Sequence, residues 1–207
     1  MSEGPGPGGT RLSRWVVLVA IFGAMLALDQ WTKFLAVERL TYAFDRAGAT
    51  TAGEKLSTFW RATHLEPLAR RPYAVWRPVW RMNYVENPGS AFGLLRDLGE
   101  RARNVLFSLV YPAAAAFILH SYRKLGDRQR FLQVALAFVL SGAVGNFVDR
   151  LVHGYVIDFV EWYWWNRPDI RWPTFNVADS LIVVGVGMLL AHPGEKAAAP
   201  GRGAGKN

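Results

Sequence analysis

The sequence has no cysteine, which excludes disulfides, thiolate metal sites, a cysteine nucleophile and any cysteine of its own for lipid attachment. Charge is scarce as well: 19% of the 207 residues are charged while 51% are apolar, which is not the balance of a disordered chain. The four histidines (His64, His120, His153 and His192) form no H-E-x-x-H pattern, so a zinc peptidase lacks its ligands. Ser90 does not sit in a G-x-S-x-G turn, which removes the serine-hydrolase elbow. There is no internal repeat, and the length allows one domain or two.

The apolar residues are gathered into runs that a mean hydropathy of only +0.09 conceals. Residues 15–28 carry no charge, and the apolar character continues past Asp29 and Lys33 to about residue 37. Residues 104–122 and 131–148 contain no acid, Lys or Arg, and 174–191 is interrupted only by Asp179. A helix of about 20 residues crosses a hydrocarbon core of roughly 30 Å. The pattern predicts an all-α integral membrane protein with four transmembrane helices, at about 15–36, 104–122, 131–149 and 174–191. A cleaved signal peptide is the competing reading of the first run, but Met25-Leu26-Ala27 offers no small-x-small site.

Orientation follows from the short flanking segments. Arg11 and Arg14 precede the first run, Arg123, Lys124, Arg128 and Arg130 crowd the second-to-third connection, and Lys196, Arg202 and Lys206 lie in the tail. With four spans these segments share one side, so both termini are expected on the cytoplasmic side of the membrane. The net charge of +8 then reads as topology and attraction to lipid, with no motif for nucleic acid. Residues 1–12 and 193–207 are Gly-, Pro- or Ala-rich and read as disordered, leaving 13–192 as one membrane domain. Within the outer segment 37–103, residues 41–58 read as polar loop, and alternation of Val79, Arg81, Asn83 and Val85 suits a strand. A small, partly β extracytoplasmic lobe is therefore expected between the first two helices. Tryptophans 60, 76, 80, 162, 164, 165 and 172 all fall in outer segments, where amphipathic rings favour the interface.

Ionisable groups inside such spans are costly and point to function. Asp29 and Lys33, four apart on one helix face, read as an ion pair with Lys33 snorkelling outward. Asp149, beside Arg150 at the end of the third run, reads as an interfacial anchor or a hydrogen-bond hub. Asp158 lies within Val156-Ile157-Asp158-Phe159-Val160, and Asp179 opens the fourth run. Two close carboxyls in apolar surroundings share one proton, which suits aspartyl peptide hydrolysis: one takes a proton from water while the other donates to a carbonyl oxygen. On spacing alone, structural pairing or solvation of these two acids, 21 residues apart, is the favoured reading. Gly142, with Ser141, Ala143 and Gly145, makes a small-residue face for close helix packing.

Five stretches together resemble the bacterial lipoprotein signal peptidases (signal peptidase II), a family of four-helix intramembrane aspartyl peptidases. They are Asp29-Gln30-Trp31-Thr32-Lys33, the turn from Asn87 through Pro88, Gly89 and Ser90 to Gly93, the run from Gly142 through Asn146 to Asp149-Arg150, Gly154-Tyr155-Val156-Ile157-Asp158-Phe159, and Phe175-Asn176-Val177-Ala178-Asp179. The resemblance implies an enzyme that cuts signal peptides from prolipoproteins just before the diacylglyceryl-modified cysteine, near the extracytoplasmic face. It implies Asp158 and Asp179 as the catalytic dyad, with Asp29, Lys33, Asn87, Gly142, Asn146, Asp149, Arg150 and Asn176 in supporting or substrate-binding roles. Asn176 would orient Asp179, and Asn146 and Arg150 would hold the substrate backbone or brace the site. No cofactor or metal is implied; the expected partners are the lipid-modified substrate and membrane lipids, and the expected state is monomeric. Residues 40–81 are longer than the family's connection, and Ser90 stands where a small residue is common. A small transporter or channel subunit using Asp29, Lys33, Asp149 and Asp179 as an ion pathway is the alternative, and a non-catalytic membrane scaffold is a further one.

Overall fold

The computed structural model describes residues 13–89, 99–165 and 167–192. The terminal segments expected to be disordered, and residues 90–93 of the Asn87 turn, lie outside the described residues. Helix α1 (Arg14–Leu40) starts where the Ser13 hydroxyl accepts from Trp15 N, and it stops at Thr41, whose hydroxyl returns to Val37 O at 2.6 Å. A short α2 (Ala43–Arg46) and α3 (Ala52–Arg61) follow, then a 3-10 turn at Glu66–Leu68 and strands β1 (Tyr73–Trp76) and β2 (Trp80–Asn87). Next come α4 (Glu100–Arg123), α5 (Arg130–Val152), β3 (Val156–Trp164), β4 (Arg167–Arg171) and α6 (Val177–Ala191).

Among the described residues three helices are long and apolar enough to cross a membrane, α1, α4 and α5. Helix α6 is apolar but has only 15 residues, because Asn176 caps it three residues after Pro173 instead of letting it start at 174. Helix α5 is the centre of the bundle. Ala135, Ala137, Leu140, Ser141, Gly142, Ala143 and Gly145 are buried along it, and α1, α4 and α6 all pack against it. A side chain on Gly142 would run into Ala178 O and the Ile182 side chain, and one on Gly185 would stand 2.7 Å from Ala135 O and 2.7 Å from Val139 Cγ2. These glycines let α5 and α6 approach backbone to backbone, the packing that replaces hydrophobic drive inside lipid. The opposite faces carry exposed Val19, Leu109, Phe117, Val183 and Leu190.

Two apolar clusters hold the two ends. At one end Leu18, Ile118, Tyr122, Leu136, Ala137 and Leu140 pack together; there Tyr122 donates to Arg14 O at 2.6 Å and Arg14 donates to Leu125 O. The start of α1 and the α4–α5 turn therefore share one end. At the other, Val37, Leu40, Phe44, Phe59, Tyr84, Tyr155, Ile157 and Phe159 form the core under the sheet.

The sheet corrects the expectation of a lobe built only between the first two helices. Its four antiparallel strands run β1-β2-β3-β4, two from each of two distant loops. The sequence hid β3 because Val156, Ile157, Asp158 and Phe159 are all buried, so no alternation appears. Residues 41–58 are likewise not plain loop. The Thr51 hydroxyl accepts from Glu54 N at 3.3 Å while Glu54 accepts from Thr51 N at 2.9 Å, a reciprocal cap that starts α3.

Gly185→Val should lower stability by about 1–3 kcal/mol through overpacking, read as a fall in unfolding temperature in detergent. Gly187→Ala, whose added Cβ meets nothing within 4 Å, should not lower that temperature.

Candidate active site

Strand β3 delivers Asp158 and the start of α6 delivers Asp179, and a short piece of backbone pairing joins the two. Phe175 N donates to Val160 O at 3.0 Å and Val160 N donates to Phe175 O at 2.9 Å, which pins the next residue, Asn176, beside β3. The Asn176 side chain donates through Nδ2 to Asp158 Oδ1 at 2.7 Å, and its Oδ1 accepts from Asp179 N at 2.9 Å. Its backbone N–H donates to Asp179 Oδ2 at 3.2 Å. One buried residue thus touches both carboxyl groups. The amide of Asn146 on α5 donates to Asp179 Oδ1 at 2.8 Å, and Asn87 at the end of β2 donates to Asp158 Oδ2 at 2.9 Å.

Asp158 is 1% exposed and Asp179 is half-buried. Burial pushes the Asp158 carboxyl up to about 8, and the neighbouring Asp179 charge adds to the rise; hydrogen bonds from Asn87 and Asn176 and the Lys33 charge partly offset it.

Beneath this pair lies a fully buried ionic group. Lys33 Nζ is 2.8 Å from Asp29 Oδ2, 2.9 Å from Asp149 Oδ2 and 3.2 Å from Asn146 Oδ1, so each of its three hydrogens has an acceptor. Lys33 therefore does not snorkel outward as expected; two carboxylates on facing helices draw it inward. Of the two readings of Asp149, the hydrogen-bond hub holds and the interfacial anchor does not: it is fully buried, and its Oδ2 accepts from Ile157 N at 3.0 Å. Asp29 Oδ1 accepts from Ala178 N at 2.9 Å. Each of these acids holds the backbone amide of the residue just before Asp158 or Asp179. Gln30, which the sequence reading passed over although it stands inside the Asp29–Lys33 stretch, donates to both carboxylates at 3.1 Å.

Arg150 serves the Asn87 turn. Its guanidinium donates to Pro88 O at 3.2 Å and Gly89 O at 2.5 Å and lies 3.7 Å over the Phe107 ring. Gly142 and Gly145 bring the α5 backbone against α6, and Gly145 faces the Asp29 carboxylate. All ten residues singled out from the sequence thus fall within one connected site. Glu86 was missed; its carboxylate accepts from Leu65 N and from Glu66 N at 3.0 Å, tying residues 65–66 to the strand that carries Asn87.

The sequence model of the family described as Signal peptidase (SPase) II matches residues 21–193. The chain belongs to the signal peptidase II family. A lipoprotein signal peptidase of Anaeromyxobacter sp. (strain Fw109-5) is 66% identical over 192 residues, covering 93% of this chain and 91% of that one. The lipoprotein signal peptidase of Alteromonas mediterranea is 42% identical over 113 residues, 55% of this chain and 60% of its own length. A solved structure of a bacterial membrane enzyme superposes with a TM-score of 0.59 at 20% identity, covering 84% of this chain and 85% of the other; that likeness speaks to the fold. As a signal peptidase II member the chain is a protease, and its apolar helices embed it in a membrane. Neither named relative is described as a transporter or channel, the alternative raised by the intramembrane acids.

Lys33→Met leaves Asp29 and Asp149 buried without their cation and should cost about 3–5 kcal/mol, read as a lowered unfolding temperature. Adding Asp149→Asn should recover part of that loss.

Proposed function

We propose that Asp158 and Asp179 form the catalytic dyad with which this signal peptidase removes signal peptides from prolipoproteins. The supporting observation is Asn176, whose side chain donates to the Asp158 carboxyl while its backbone N–H donates to the Asp179 carboxyl, so that a single residue bridges the two groups that would act on one water molecule. At neutral pH the pair holds one proton and titrates as a unit. The ionised member takes a proton from the attacking water while the protonated member donates to the scissile carbonyl oxygen. Collapse of the tetrahedral intermediate then expels the amine of the cysteine with a proton returned by the dyad. The diacylglyceryl chains stay in the bilayer, and their binding energy positions the scissile bond.

Supporting roles follow from the contacts. Asn176, Asn146 and Asn87 orient the carboxyls. Lys33, Asp29 and Asp149 fix the backbone beneath them, and Gly142 lets α5 and α6 meet. Arg150 steadies the turn at 87–89 and is the group best placed to meet substrate backbone beside it. In this reading residues 13–192 are one domain with α1, α4, α5 and α6 as four spans. The α4–α5 turn, with Arg123, Lys124, Arg128 and Arg130, lies beside Arg14 and faces the cytoplasm, as do both termini. The sheet and dyad face the other side, where water reaches them. The short α6 suits this arrangement, because its capped start leaves Asp179 below the outer surface. Membrane lipids are the remaining partner, and the enzyme works as a monomer.

Asp158→Asn and Asp179→Asn should each lower kcat by about 10²–10⁴-fold while the protein still inserts and unfolds cooperatively. Cleavage of a diacylglyceryl-modified prolipoprotein measures this, and near-wild-type turnover by either variant would remove the dyad.

Because Asp158 is held up to about 8, activity should persist through neutral pH and decline above pH 8 as the shared proton is lost. Asn87→Ala removes a bond that favours the ionised form, so the alkaline limb should move to higher pH while kcat falls.

A further inference from the structure

Helix α3 plays no part in the chemistry above, yet its position and its surface are unusual for a solvated helix. Leu56, Phe59 and Trp60 recur at helical spacing. Phe59 points into the core at 1% exposure, whereas Leu56 and Trp60, together on one flank of it, remain 50% and 41% exposed.

The contacts of α3 fix its height along α1. Lys55 pairs with Glu38 in the last part of α1 at 2.8 Å. Phe59 packs edge-on against Phe34, with centroids 5.7 Å apart, and Phe34 stacks on Trp31 at 5.8 Å. Trp15 and Trp31 are the exposed tryptophans of α1, 16 residues apart, or roughly 24 Å at the helical rise. They mark the two aromatic belts of a hydrocarbon slab, and α3 lies about one turn beyond the outer one. Aromatic contact then runs unbroken from lipid-facing Trp31 through Phe34 and Phe59 to Trp60, whose ring meets Phe59 at 5.2 Å. Arg39 and Arg61 are exposed at the ends of α1 and α3.

We propose that α3 is an interfacial helix, with Leu56 and Trp60 seated at the acyl–headgroup boundary of the outer leaflet and Arg61 reaching lipid phosphate. The short polar helix with an apolar flank, laid against the end of a span, is the form such elements take. The proposal rests on α1 spanning the membrane and is independent of the dyad. Through Phe59, which packs on the His153 ring, and Ala62 O, 2.9 Å from His153 Nδ1, it ties the lipid surface to the end of α5 just past Asp149 and Arg150.

A chain without cysteine makes the test direct. Leu56→Cys, Trp60→Cys, Ser57→Cys and Val19→Cys are each labelled with a nitroxide and placed singly in phospholipid nanodiscs, with prolipoprotein cleavage as the check on folding. Collisions with dissolved oxygen and with a water-soluble nickel chelate report depth. Labels at 56 and 60 should favour oxygen over nickel several-fold more than the label at 57, approaching the lipid-facing label at 19. If 56 and 60 match 57 while 19 stays in lipid, the helix is solvated and the proposal is overturned, with the span and the proposed activity untouched. Labels at 56 and 60 shielded from both reagents would mean a protein contact and would equally overturn it.

Discussion

A lysine ammonium in a place closed to water must give each of its three hydrogens to an acceptor, and this requirement organises the centre of the molecule. Lys33 finds Asp29 one turn back on its own helix, and Asp149 and Asn146 on α5. Two carboxylates around one cation leave spare lone pairs, and those accept the amides of Ala178 and Ile157. One ionic group thereby sets the backbone at two places that are far apart in the chain. Removing charges from water is expensive, so such a group rarely adds net stability over an apolar core. Its effect is geometric: its bonds tie α1, α5, β3 and α6 to one another.

The rest of the bundle is arranged so that this group stays dry. Glycines 142 and 185 bring α6 against α5 backbone to backbone, and Gly145 leaves room for the Asp29 carboxylate. Around the bundle the surface remains apolar because lipid is its solvent. At the sheet end the logic changes to that of a water-soluble domain, with a sheet over a core of Val37, Phe44, Phe59, Tyr84, Tyr155 and Ile157. The two carboxyls of the proposed dyad lie where these regimes meet. Asp158 is raised by the apolar side of that boundary, while three asparagines supply the hydrogen bonds that keep a carboxyl tolerable there.

Much of the candidate site was legible before any coordinates. Acids inside apolar runs are too costly to be incidental, so Asp29, Asp158 and Asp179 stood out, and the matching stretches around them supplied Asn87, Asn146 and Asn176. What misled was direction. A long lysine side chain at a span's outer end reads equally well as reaching out to water or turning in to a partner, and only the presence of Asp149 across the helix interface decides. The same holds for Glu86, an ordinary strand residue until residues 65–66 fold back to place two amides on it.

The sequence by itself determined where the chain prefers lipid, since burying polar backbone and charge in hydrocarbon is prohibitive and leaves long apolar runs one outcome. It also determined which side chains were chemically out of place. Tertiary structure alone decided that strands 80–87 and 156–164 pair, that Val160 and Phe175 bring Asn176 beside Asp158, and that Lys33 faces inward. Those outcomes depend on contacts between segments tens of residues apart, and local pattern carries no register between distant strands and no choice among distant partners.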